Sequence, residues 1–178
     1  MVRMTVALIL AFVAATGHAA PAGALSYDAP SAWRTRPPAS GMRVAEFVVP
    51  KAQGDAEDAE LVIYYFGGGG VGTADADIDR WIGQVQQPDG SPSAAKARRA
   101  TRTINGLKVS MVDVSGTYTA EMRPGAAEHY NKPNFRVCAA VVETPRGPYY
   151  IKMIGPAKTV AAAQADYAKL LDSLRYAP

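Results

Sequence analysis

The sequence predicts an α+β fold: an antiparallel β-sheet with two helices packed on it, in the order βββ-α-ββββ-α. Three observations carry this. Asn105–Gly106 separates two strand-like runs, and Pro145–Arg146–Gly147–Pro148 separates two more, so the second half of the chain reads as successive hairpins. Only two segments have helical spacing, one in mid-chain and one near the end. Runs of hairpins leave no place for the alternating βα units of a parallel sheet.

Taken in chain order, residues 1–19 read as a secretory signal peptide. They have a basic start at Arg3, an apolar run from about Val6 to Ala15, and small residues at Gly17 and Ala19. Cleavage is expected after Ala19, with Ala22 and Ala24 as alternatives. The run is shorter than the ~20 apolar residues of a membrane span, and no cysteine follows it to carry a lipid. Residues 20–25 form a flexible leader, and residues 26–178 a single α+β domain. The mature protein is therefore expected to be periplasmic or extracellular, without a transmembrane span.

Within that domain, "LSYDAPSAWRTRPPAS" suits a short first strand and a turn, because its prolines oppose a helix. "MRVAEFVVP" alternates, with Val44, Glu46 and Val48 on one face and Ala45, Phe47 and Val49 on the other. "ELVIYYF" is apolar on both faces, as a strand in a covered sheet should be. After the glycines, Ile78, Trp81, Ile82 and Val85 recur at i, i+3, i+4 and i+7, the stripe of an amphipathic helix. The final helix carries Val160, Ala163, Tyr167, Leu170, Leu171 and Leu174 on its apolar side, with Pro156 just before its start.

Composition narrows function less than it narrows fold. With 48% hydrophobic residues in 178, the chain has enough apolar material for one well-buried core. A net charge of +3 excludes nothing, but its distribution is uneven. Between Lys51 and Arg80 every charge is negative, whereas "AKARRATRTINGLK" carries Lys96, Arg98, Arg99, Arg102 and Lys108 with no acid. That basic run alternates as an edge strand would, where cations oppose sheet-to-sheet aggregation. Its second reading is a contact for an anionic surface. Nucleic acid is not expected, since no aromatics are interleaved with the cations.

"PSAW" near the mature start, the mid-chain helix with Trp81, and the ending "GPAKTVAAAQADYAKLLDSLR" together resemble the PsbP/Mog1-like domains. Within that fold, "GDAEDAELVIYYFGGGG" and "DRWIGQ" resemble a group of uncharacterised exported bacterial proteins. The resemblance runs over roughly residues 26 to 175. It implies an α/β/α sandwich and a non-catalytic docking module, since the wider fold includes an extrinsic photosystem II subunit and a factor binding the GTPase Ran. No functional residue of those proteins has a match here.

The candidate sites are few. Gly67, Gly69 and Gly72 satisfy G-x-G-x-x-G, yet a dinucleotide site needs a parallel βαβ unit and an uncluttered helix N-terminus. Asp75 and Asp77 in the first helical turn would repel a phosphate there. "DADID" opens like a calcium loop, but Arg80 stands at the glycine position and Gln86 at the final glutamate position. A calcium-stabilised binding domain is one alternative function. Another is a hydrolase dependent on His129, which lies in the long loop Glu121 to Asn134 and is the one histidine left after export. Cys138 sits in the apolar run "FRVCAAVV", where a packed thiol, or a bond between chains, is expected.

The reading that remains is a non-catalytic interaction or accessory module whose partner is another envelope or extracellular protein, with no cofactor or metal expected. Its expected contact surface is Gly68, Gly69, Gly70, Asp75, Asp79, His129 and Tyr130.

Overall fold

The protein was analysed as a computed structural model, which describes residues 23–68 and 72–177. The expected signal segment, Gly69 and Gly70 lie outside the described residues. The elements are β1 (Leu25–Ser26), β2 (Arg34–Arg36), β3 (Arg43–Val49), β4 (Ala59–Tyr65), α1 (Ala74–Gly83), β5 (Val85–Gln86) and α2 (Ser93–Lys96). They continue with β6 (Arg98–Ile104), β7 (Leu107–Tyr118), β8 (Lys132–Val142), β9 (Tyr149–Pro156), α3 (Ala157–Ala162), α4 (Gln164–Asp172) and β10 (Arg175–Tyr176).

Eight strands form one sheet in the spatial order β2-β3-β4-β9-β8-β7-β5, with β6 also on the free edge of β7. Every pairing in it is antiparallel. The two hairpins follow the expected turns: Ile104 pairs Leu107 across Asn105–Gly106, both at positive φ, and Val142 pairs Tyr149. The fold class predicted from sequence is the one observed. Four short additions escape the periodic signals: β1 with β10, β5, and the single turn of α2. Leu25, at the end of the expected leader, is buried in β1 and pairs Tyr176.

One face of the sheet, with Leu61, Ile63, Val109, Ile151 and Met153, meets Val160, Tyr167, Leu170 and Leu174 of the C-terminal helical segment. Each such side chain contributes on the order of 1.5–3 kcal/mol when fully buried. The expected single helix divides at Ala163, but its hydrogen bonding runs through. Ala163 N–H donates to Thr159 C=O and Tyr167 N–H to Ala163 C=O, so the apolar stripe stays continuous.

On the opposite face α1 lays Ile78, Trp81 and Ile82 on Val112, Val114, Val137, Ala139, Val141 and Tyr150. It therefore covers β7, β8 and part of β9. Because Leu61 and Ile63 point to the C-terminal helices, Glu60, Val62 and Tyr64 point to the α1 side, where no helix among the described residues packs extensively on β2, β3 or β4. This half-open face is the feature that organises the candidate sites.

Candidate functional site

The ends of α1 mark two separate regions. Its N-terminus is fixed by Thr73, whose Oγ1 accepts a hydrogen bond from Ala76 N–H at 3.2 Å. At this end a cleft of about 630 Å³ opens, lined by Thr73, Asp75, Asp77, Thr101, Ser110 and Tyr150 among others. The start of the glycine loop runs alongside the 145–148 turn. A Cβ on Gly147, which has φ +117°, would stand 2.6 Å from Gly67 O, so glycine there permits the two loops to touch.

The three aspartates of α1 go to three places. Asp75 lines the cleft. Asp79 is paired with Arg99 of β6, away from the glycine loop. Asp77 is only 3% exposed, binds Arg80 at 2.7 Å and lies beside Tyr150, whose phenol pKa is pushed up by burial and by this carboxylate. They do not converge on one point, as a calcium loop would require. Among the described residues no cluster of three metal-ligating side chains forms.

His129 and Tyr130 occupy the other end of the helix. His129 Nδ1 shares a hydrogen bond of 2.8 Å with Thr119 C=O, Thr119 N–H donates to Gln84 C=O just beyond α1, and Tyr130 stacks on Tyr118. The length of α1, about 15 Å at 1.5 Å per residue, separates them from the glycine loop. The two loops expected to share a contact surface are therefore not brought together. The loop is also more ordered than expected, since Glu121 and His129 form an antiparallel bridge and β8 begins at Lys132.

The basic strand is an edge strand as expected, but its cations are not free. Arg98 binds Asp113 at 2.9 Å, Arg99 binds Asp79, Arg102 binds Asp172 at 2.9 Å, and Lys96 lies 4.0 Å from Asp89. The acids come from other elements, so the unpaired basic run of the sequence becomes a ladder of ion pairs. All four cation side chains remain at least 40% exposed, so each acid offsets its charge only in part. Cys138 is buried, and burial followed by the nearby Asp113 charge pushes its thiol up to about 12. A thiol so placed is no nucleophile.

Two residues missed in the sequence stand out on the half-open face. Glu46 is 2% exposed. Burial raises its pKa, but Ala39 N–H, at 2.6 Å, together with Arg43 and Arg36 outweighs that and holds the carboxyl below its usual range. Its one signal was an acid inside the apolar run "AEFVV". Lys152 is partly buried, donates to Gln84 Oε1 at 2.6 Å and lies over the Tyr118 ring at 5.2 Å, with no carboxylate within 4.0 Å among the described residues. Burial, with Arg80 adding to it, lowers its pKa to about 8.

Because the unfolded chain keeps the Lys152 proton up to about 10.5 and the folded chain releases it near 8, stability should rise with pH through that window. Tyr118, pushed up to about 12 by burial, does not interfere below its unfolded value of 10.0. Urea unfolding between about pH 7 and pH 10 checks this. Lys152→Met should flatten the rise, and an unchanged slope would contradict the assignment.

Fold and site together define an α+β sandwich domain with one sheet face covered and the other half open. Solved structures are similar to it in fold. A Pseudomonas aeruginosa protein of unknown function, PA94, matches with TM-score 0.50 and 13% identity over 75% of this chain and 82% of its own. LpqN of Mycobacterium tuberculosis, described as involved in cell envelope biogenesis, matches with TM-score 0.55 and 10% identity over 86% of this chain and 83% of its own. A cyanobacterial PsbP, CyanoP of Synechocystis sp. PCC 6803, is also among the matches, with TM-score 0.47 and 10% identity over 90% and 98% of the two chains. No protein-family model and no curated protein matches the chain. Among the described residues no helix is long and apolar enough to cross a membrane.

Proposed function

We propose that this is an exported, single-domain, non-catalytic interaction module that docks another protein of the cell envelope or exterior. The observation that carries the reading is an exposed apolar corner. Met42, Val44 and Phe66, three of the large hydrophobic side chains left exposed, fall at one end of the β3–β4 pair. Tyr65 N–H donates to Met42 C=O there, and Phe66, 48% exposed, stacks on Tyr64 and leads directly into the glycine loop. Scattered exposed apolar residues need no explanation, but a cluster beside a loop without side chains suits a protein partner.

The contact surface of this reading joins the corner to Gly68–Gly70 and Asp75. His129 and Tyr130 form a second, outlying contact. Export is supported by the secretory pattern of residues 1–19 and is compatible with the envelope role described for LpqN.

A Phe66→Ser variant should keep its stability to within about 1 kcal/mol, as surface changes do. It should also lose the partner that wild-type protein retains from an envelope extract, and deletion of Gly68–Gly70 should do the same. Undiminished partner recovery by both variants would refute the docking surface.

A further inference from the structure

We infer that the half-open sheet face beside α1 docks an amphipathic helix of a partner protein, with a carboxylate of that helix set against Lys152. The inference rests on the docking reading above and extends that surface along the sheet.

The face is a row of cross-strand neighbours. Glu46 of β3 pairs Val62 of β4, Val62 pairs Lys152 of β9, and Lys152 pairs Ala139 of β8, which α1 covers. Directly paired residues share a face, so Lys152 stands where the cover of α1 ends. Val62 is only 2% exposed, and the outer surface here belongs to longer side chains: Tyr64, Ile154 and Tyr118 pack partly buried against the α1-side core. Phe66 stacks on Tyr64 at one end of this strip, and Tyr130 stacks on Tyr118 at the other. The strip therefore joins the apolar corner to the outlying contact. A second helix laid beside α1 would complete the layer, as helices cover sheets in such architectures.

Charge fixes what the apolar stripe of that helix carries. The acids on this side are already engaged, Glu46 with Arg43 at 3.2 Å and Glu60 with Arg36. Lys51, Arg146 and Lys158, the other cations with no carboxylate within 4.0 Å among the described residues, are exposed to water. Lys152 is not, and its ammonium bonds only neutral oxygens, Gln84 Oε1 at 2.6 Å and Tyr118 Oη at 3.4 Å. An ammonium has three N–H donors, so one is left for a partner. Its pKa, lowered to about 8, has the same origin: loss of water with little counter-charge gained. A carboxylate brought to it would supply the charge-assisted bond that the fold itself does not.

Carbodiimide cross-linking of the wild-type protein in envelope extract tests the face, because this reagent joins an amine to a carboxylate only where the two touch. Mass mapping should find Lys152 joined to an aspartate or glutamate of another protein, within a segment of helical apolar spacing. Lys152→Met should remove that cross-link and lower recovery of the same protein roughly tenfold or more. The wild-type cross-link needs no variant, so it decides even if Lys152→Met misfolds. The face is overturned if Lys152 forms no cross-link, if it joins an acid of a second copy or one outside such a segment, or if Lys152→Met retains the protein as the wild type does. Recovery lost by Phe66→Ser but kept by Lys152→Met would refute the face and leave the corner standing. If the wild type retains no protein, both fall.

Discussion

Asp113→Ala should cost the protein about 3 kcal/mol, the low end of the range for removing one partner of a buried ion pair, since the Asp113 side chain is 19% exposed. Arg136 holds the two oxygens of Asp113 through Nε and Nη2, both at 2.7 Å, and Nη2 also reaches Gln164 Oε1 of α4 at 2.9 Å. The pair thus ties β7 and β8 to the helical layer. Loss of the carboxylate would leave the buried guanidinium with a neutral partner only, and the desolvation of Arg136 would no longer be offset. Urea unfolding should give the difference. A companion Asp113→Ala/Arg136→Met variant should recover most of it, because no unpaired charge remains. A double variant as unstable as the single one would mean that the loss arises from packing.

The same residue sets an acid limit. Burial raises the Asp113 pKa, but the Arg136 hydrogen bonds and charge, with Arg98 added, outweigh burial and hold it below 3.8. The pair's contribution is complete above 3.8, the unfolded value, and is lost as the pH falls through the lower folded value. Glu46, also held low, adds in the same direction below 4.5. The Asp113→Ala variant should therefore lose less stability on acidification than the wild type.

Gly155→Ala should cost about 3 kcal/mol, the upper end for overpacking, or roughly 10 °C in melting temperature for a chain of this size. A Cβ on Gly155 would collide with the Ala59 side chain and stand 2.6 Å from Ala59 Cα. Neither strand can move aside, because β9 is hydrogen-bonded to β4 on one side and β8 on the other. Exchanging the two residues, Ala59→Gly with Gly155→Ala, should restore much of the loss, since the methyl changes sides while the strand spacing is kept. Thermal unfolding of the three proteins decides this. A Gly155→Ala protein that melts with the wild type would show that β4 and β9 can separate.

Much of the fold was legible because its signals are local. The stripe Val160 to Leu174 is buried as its spacing requires, although Ala163 interrupts the helix. Asn105–Gly106 makes the hairpin it announces. The short strands were not legible, since β1, β5 and β10 have two residues each and no period can show in two. The candidate surface was legible only in part. Asp75 does line a cleft, but Asp79 is taken up by Arg99, and His129 and Tyr130 lie at the far end of α1 from the glycines.

By itself the sequence determined the class of fold, the order of its principal elements, the faces they bury and the low electrostatic appeal of the glycine loop for phosphate. All of these follow from neighbours within a few positions, through backbone preference, side-chain period and the helix dipole. Tertiary structure alone decided which charges are free. Arg102 meets Asp172 across 70 positions, Lys132 meets Glu57 across 75, and Lys152 meets no carboxylate among the described residues. A charge's worth depends on what lies within a few ångströms in space and on how much water is excluded there, and folding sets both by joining segments that the chain keeps far apart.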